Sequence, residues 1–247
     1  RSDLLGVGES AETLLEQVGL TCLGVRLWNS ESLSWAEAFL AEPNTGVVTV
    51  LSQRWSNFLV GPEFAVKRMG QPLTLGKLAT SRLVTEAARR QANRLLHLGR
   101  SRLGRTSLFH DNGDWGGRFR EPLFVNDFEI LAKRLREREP WLFRARVVAE
   151  DIHVFPVAAV TDLCYAPGSQ TLFAQISDEK GNRALLYYPH SSAESGGVSA
   201  WFRMLGGECS FLSGAVDLQG GRLRIRPLSV VADGQVFCPA LMPDQAL

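Results

Sequence analysis

From residue 141 onward the chain is a succession of short β-rich runs divided by turn residues, and this pattern constrains the fold more than any other feature. Segments 144–156, 157–165, 170–176 and 183–188 are strand-like, and Asp178-Glu179-Lys180-Gly181-Asn182 reads as a hairpin loop between the last two. Segments 209–216, 223–231 and 235–239 follow as a meander, with turns at Gln219-Gly220-Gly221 and Asp233-Gly234. Between these groups, 190–197 is small and polar and reads as a loop. Residues 198–205 read as a short helix stopped by Gly206-Gly207. Strands joined by such short links pair mainly antiparallel, as a small barrel or a sandwich; the pattern does not choose between them.

The first half reads as mixed. Ser10 as a cap and Gly19 as a stop predict a short helix between them, 20–28 a strand, 35–40 a helical run, and 46–51 a strand buried on both faces. Farther on, Phe128, Leu131 and Leu135 recur at helical spacing after Asn126 or Asp127 as cap, and Pro140 ends that helix. The expected class is α+β. Residues 1–110 form a mixed α/β region and 111–247 a mainly β region with one helix near 127–138, with a soft boundary in the turn-rich loop near 106–120.

Charge is sorted along the chain. The net charge is only +1, yet residues 67–146 carry 18 basic and 8 acidic groups, and the segments on either side are acidic. Ten of the 27 Lys and Arg residues lie within 67–105, against the single acid Glu86. Over 78–100, Leu83, Val84, Ala87, Ala88, Gln91, Ala92, Leu95 and Leu98 recur at 3.6-residue spacing, with Arg82, Arg89, Arg90, Asn93, His97 and Arg100 opposite them. That periodicity predicts an amphipathic helix with a basic outer face.

A row of guanidiniums on a rigid rod suits bidentate phosphate contact. The nucleic-acid candidates are therefore Arg82, Arg89, Arg90, Asn93, Arg94, His97 and Arg100, with Arg118 and Arg120 from the following loop. Arg222, Arg224 and Arg226 join them: they alternate with Leu223 and Ile225, so one strand face is basic and the other apolar. Trp115, Phe119 and Phe124 beside Arg118 and Arg120 suit base stacking or packing of that loop. A solvated face, or one docked on the acidic flanks of the same chain or on an acidic protein partner, explains the same charges.

A second class of function is a metal-assisted hydrolase using Asp111 and Asp114 with Asp151 and His153, the last two on one strand face. Against it, Asn112-Gly113 between aspartates is ordinary turn chemistry, and the spacing matches neither a calcium loop nor a strand-borne nuclease motif. Cys22, Cys164, Cys209 and Cys238 form no close-spaced ligand pair, so free thiols in a reducing cytoplasm are expected rather than zinc. There is no nucleophile elbow, phosphate-binding loop or dinucleotide fingerprint, no secretory signal and no apolar run long enough to span a membrane. The sequence thus predicts a non-catalytic module that binds nucleic acid or assembles with other protein subunits, with no cofactor, metal or membrane contact. The hydrolase and a structural subunit docked on an acidic partner remain as alternatives.

Overall fold

The computed structural model describes residues 12–70, 73–86, 88–99, 106–139, 147 and 149–244. In the first half the elements are β1 (Glu12–Leu15), β2 (Val18–Asn29), β3 (Ser34–Ala41), β4 (Val48–Trp55), α1 (Pro62–Ala65), β5 (Arg68–Gly70), β6 (Leu73–Thr74), α2 (Leu75–Ala79), β7 (Ser81–Thr85), β8 (Ala88–Gln91), β9 (Leu96–Leu98) and β10 (Thr106–His110). They form a five-stranded sheet in the order β10-β7-β2-β3-β4 and a three-stranded sheet β1-β8-β9, with β5 and β6 paired to each other. A parallel bridge from Val50 on β4 to Leu95 links the two larger sheets.

Three helical expectations fail here. Residues 78–100 are not a helix: α2 ends at Ala79, and β7, β8 and β9 follow. Ala, Arg, Gln and Leu favour helix in isolation, but β8 is paired on one side by β1 and on the other by β9, and tertiary pairing overrides propensity. The missed punctuation is Asn93: its side chain accepts from Leu95 N at 3.1 Å, Arg94 adopts φ 68, and Arg94 N closes the turn on Gln91 O at 2.8 Å. Residues 35–40 belong to β3, whose register is fixed by β2 on one side and β4 on the other. The segment expected as a helix up to Gly19 contains β1 and the start of β2 among its described residues.

The second half follows the strand pattern from Ile152 onward; of the strand expected over 144–156, residues 149–151 form a turn, and 144–146 and 148 lie outside the described residues. After α3 (Trp115–Arg118) and α4 (Phe128–Glu137) come β11 (Ile152–Pro156), β12 (Ala159–Ala166), β13 (Thr171–Ser177), β14 (Arg183–Pro189), α5 (Gly197–Gly206), β15 (Cys209–Gln219), β16 (Arg222–Ala232) and β17 (Gln235–Phe237). Asp127 caps α4 as expected, accepting from Glu129 N and Ile130 N. The sheet order is β11-β15-β16-β14-β13-β12, with β14 and β16 parallel and the other pairs antiparallel. Its two outermost strands, β11 and β12, are consecutive in the chain. At the corner between them Val157 N donates to Ser210 O at 3.0 Å on the β15 side, and Ala158 N donates to Ser177 O at 2.9 Å on the β13 side. One bent strand thus supplies both edges, and the sheet closes into a barrel rather than a sandwich. Leu172, Ile176, Leu186, Leu212 and Ile225 fill the interior with Trp201 of α5, each under 2% exposed.

The halves meet where β2 crosses β16. The β2–β3 register breaks between Cys22 and Val25. The Leu23 carbonyl at this break accepts hydrogen bonds from the buried hydroxyls of Ser213 and Ser229, the latter at 2.7 Å. Gly24, at φ 119, lies so close that a Cβ there would stand 2.8 Å from the Leu228 backbone. The buried Glu194, in the turn after β14, accepts from Leu27 N of β2 at 3.1 Å and from the Tyr188 hydroxyl. Around the crossing, Leu23, Phe39 and Val50 share one apolar cluster with Trp115, Val154 and Leu228. No helix among the described residues is long and apolar enough to cross a membrane.

Candidate nucleic-acid interface

Over Arg222–Arg226 strand β16 is flanked by β14 and β15, and its side chains alternate between the barrel interior and the outside. Leu223 and Ile225 are buried, while Arg222 is exposed and Arg224 and Arg226 are half-buried on the outer face. The register places Leu185 of β14 beside Arg224, and Asp217 of β15 on its other side. Two residues along β14 comes Tyr187, which faces Phe173 of β13 directly; two residues back comes Arg183, opposite Ser177. The outer face therefore presents Phe173, Tyr187, Arg183, Arg222, Arg224 and Arg226 on three adjacent strands.

The charges on this face differ in what they are committed to. Asp217 holds Arg224 in a fork, with Nε to Oδ1 and Nη2 to Oδ2 both at 2.7 Å, and the guanidinium lies 4.5 Å from the centre of the Tyr187 ring. Burial, then the Asp217 charge, push the Tyr187 hydroxyl above its ordinary pKa. Arg183 hydrogen-bonds the Gln175 amide oxygen at 3.4 Å and forms no ion pair with a described carboxylate. Arg222 and Arg226 form no ion pair with a described carboxylate. Such a face can stack planar rings on Phe173 and Tyr187 and set cations around them.

The other basic candidates do not converge. Arg82 is exposed on β7 and lines a cleft of about 590 Å³ with Arg118, but Glu16 and Glu42 line it too. Arg89 on β8 pairs with Glu12 at 3.5 Å and stands opposite His97 on β9. Arg90 shares β8; Asn93 and Arg94 are absorbed in the β8–β9 turn, where the Arg94 carbonyl accepts from Val50 N at 2.9 Å. Arg118 is spent on Asp111 at 2.5 Å and on Asn112 at 2.8 Å, and Arg120 is exposed after α3. Arg100 lies outside the described residues. Trp115 and Phe119 are buried in the core, so that loop offers no stacking surface from them.

The hydrolase set is likewise committed to structure. Asp111, fully buried, accepts from Trp115 Nε1 at 3.0 Å, from Gly113 N at 3.2 Å and from Arg118. Asp114 caps α3 through Gly117 N at 3.2 Å. Asp151 precedes β11 and pairs with Arg138, which also holds Glu150. His153 Nδ1 lies 3.1 Å from the Pro122 carbonyl, and burial lowers its pKa. Among the described residues no group of three or more His, Cys, Asp or Glu is arranged to hold a metal. Cys209 has its thiol pKa raised by burial, the opposite of what a nucleophile needs.

Residues 149–247 match a family described as the YehQ C-terminal OB-fold domain. Over 230 residues, 91% of its length, the chain is 27% identical to Protein YehQ of Escherichia coli (strain K12), and it spans 37% of the length of that relative. Among solved structures, the Ifi202 HINa domain in complex with 20-bp double-stranded DNA aligns with a TM-score of 0.38 at 9% identity, over 92% of this chain and 96% of that one. A replication protein A heterotrimer bound to single-stranded DNA gives 0.40 at 13% identity, over 92% of this chain and 51% of that one. Reading the sequence for the OB-fold segment found its three β16 arginines but missed Phe173, Arg183 and Tyr187. The signal was present in each strand as alternation; what was absent was the register that sets the three strands side by side.

Proposed function

We propose that this chain is a nucleic-acid-binding module that lays a single strand across the outer face of its OB-fold segment. Tyr187 and Phe173 stack bases, and Arg183, Arg222 and Arg226 follow the phosphates. The observation that carries the reading is the lateral register Phe173–Tyr187 with Arg224 and Arg226 alongside, because ring faces between cations are what a single strand needs. OB-fold barrels use this sheet face for oligonucleotides, which supports the same choice. Arg224, clamped by Asp217, orients the Tyr187 ring rather than meeting phosphate.

Anisotropy of a labelled oligo(dT) at two salt concentrations tests this. Tyr187→Ala should weaken binding roughly tenfold, since stacking is worth about 1–3 kcal/mol per base, and should leave the salt slope intact. Arg226→Gln should lower the slope by about 0.7, the value for one phosphate contact on a single strand. Arg89→Gln, on the small sheet, should change neither. A wild-type chain that does not bind the probe, or Tyr187 and Arg226 variants that bind as the wild type does, would overturn the proposal.

A further inference from the structure

The basic face does not stop at the barrel. Where β2 crosses β16 at Gly24 and Leu228, an arginine stands two residues from the crossing on each strand, Arg26 on β2 and Arg226 on β16, and the charge of Arg226 is felt at Arg26. Arg26 is mostly buried, with its guanidinium 5.3 Å from the Phe39 ring centre and 5.7 Å from that of Trp28. Its Nε is buried without a hydrogen-bond partner among the described residues, and neither Arg26 nor Arg226 forms an ion pair with a described carboxylate. Burial and the neighbouring charge of Arg226 both lower the Arg26 pKa. Glu37, opposite Arg26 in the strand register, and the buried Glu194 act in the other direction on it. Two guanidiniums brought together this way are a costly arrangement that an anion between them relieves. Two residues on in the register, Trp28 and Trp35 face each other across β2 and β3 as a half-exposed parallel stack, 5.7 Å between centres at 16°.

We infer that Arg26 and Arg226 form one phosphate seat across the seam between the halves, and that the Trp28–Trp35 stack beyond it takes the next base. This rests on the strand-binding reading of the barrel face and extends it: a strand laid on that face continues onto β2 and β3. A phosphodiester fits the seat, because two guanidiniums from different strands can each address one of its unesterified oxygens.

The test compares oligo(dT) probes of about 8 and about 24 nucleotides, the first within and the second beyond the roughly 4–16 nucleotides that one OB-fold covers. Arg26→Gln should weaken the long probe about fivefold and lower its salt slope by about 0.7, and leave the short probe within about twofold. Trp28→Leu should weaken the long probe roughly tenfold without altering the slope. Glu37→Gln should tighten the long probe about two- to fivefold by removing the acid beside the seat, an effect that misfolding cannot imitate. If Arg26→Gln and Glu37→Gln leave long-probe binding unchanged while Tyr187→Ala still weakens both probes, the seam is overturned and the barrel face stands. If Arg26→Gln weakens both probes equally, its role is structural and the seat is overturned. If the wild type binds neither probe, the barrel-face reading fails and the seam with it.

Discussion

Replacing Glu194 by alanine tests whether the two halves are held by a buried polar contact or by apolar packing alone. Glu194 is 2% exposed, and its carboxyl group accepts from Leu27 N at 3.1 Å and from the Tyr188 hydroxyl. Alanine leaves two buried donors without an acceptor, at about 1–3 kcal/mol each, and a central estimate for the pair is about 4 kcal/mol. For a chain of this size 1 kcal/mol moves Tm by about 2–4 °C, so Glu194→Ala should melt about 8–16 °C lower. Glu194→Gln retains an acceptor for Leu27 N and an amide that can donate to the Tyr188 oxygen, so its loss should be roughly a third as large. Tyr188→Phe removes one of the two donors, and the double variant Glu194→Ala/Tyr188→Phe should therefore lose less than the two single losses combined. Circular dichroism melts of the four variants supply the cycle. A Glu194→Ala chain that melts within about 2 °C of the wild type, the range of a surface substitution, would refute the reasoning.

Two further outcomes concern the same seam. Gly24→Ala combines a φ of 119 with a Cβ placed 2.8 Å from the Leu228 backbone, so it should cost about 3 kcal/mol or more and lower the urea midpoint accordingly; a midpoint equal to that of the wild type would mean that the crossing is not tight. Burial pushes the Cys22 thiol from its ordinary 9.0 up to about 12 and raises Cys238 as well. The unfolded chain releases those protons near pH 9 and the folded chain keeps them. Stability contributed by the buried thiols is therefore full below about pH 9 and falls as pH rises toward 12. Urea midpoints measured at about pH 8 and about pH 10 should show that decline, and Cys22→Ala should flatten it.

The strands of the second half were legible because their boundaries are written in turn residues: the Asp178–Asn182 loop, Gly220-Gly221 and Asp233-Gly234 all lie where the chain reverses. Helix α4 was legible from Asp127 and the Phe128–Leu131–Leu135 spacing. What failed in the first half failed for one reason. Ala88–Gln91 and Ser34–Ala41 carry residues that suit a helix, and pairing on both edges, by β1 and β9 for the first and β2 and β4 for the second, makes them strands. Site legibility divided the same way. The alternation of Arg222, Arg224 and Arg226 gave a face, but the neighbours that make it a surface, Tyr187 and Phe173, depend on cross-strand register. Arg26 was hidden more deeply, since it joins Arg226 only through the crossing of the two halves.

The bent strand formed by β11 and β12 has a kinetic consequence. Its first segment waits for residues some sixty positions downstream, because Ile152 pairs with Ala215 and Pro156 with Phe211. Pairings of such long range form late. During synthesis, β12, β13 and β14 can assemble as local hairpins as they emerge, while Ile152–Pro156, bonded on one edge through Val154 to Leu123 and Val125, lacks its β15 partner until Cys209–Gln219 has left the ribosome. That interval is when an unfinished chain is open to sticking to its neighbours, and when a holding chaperone has the most to protect.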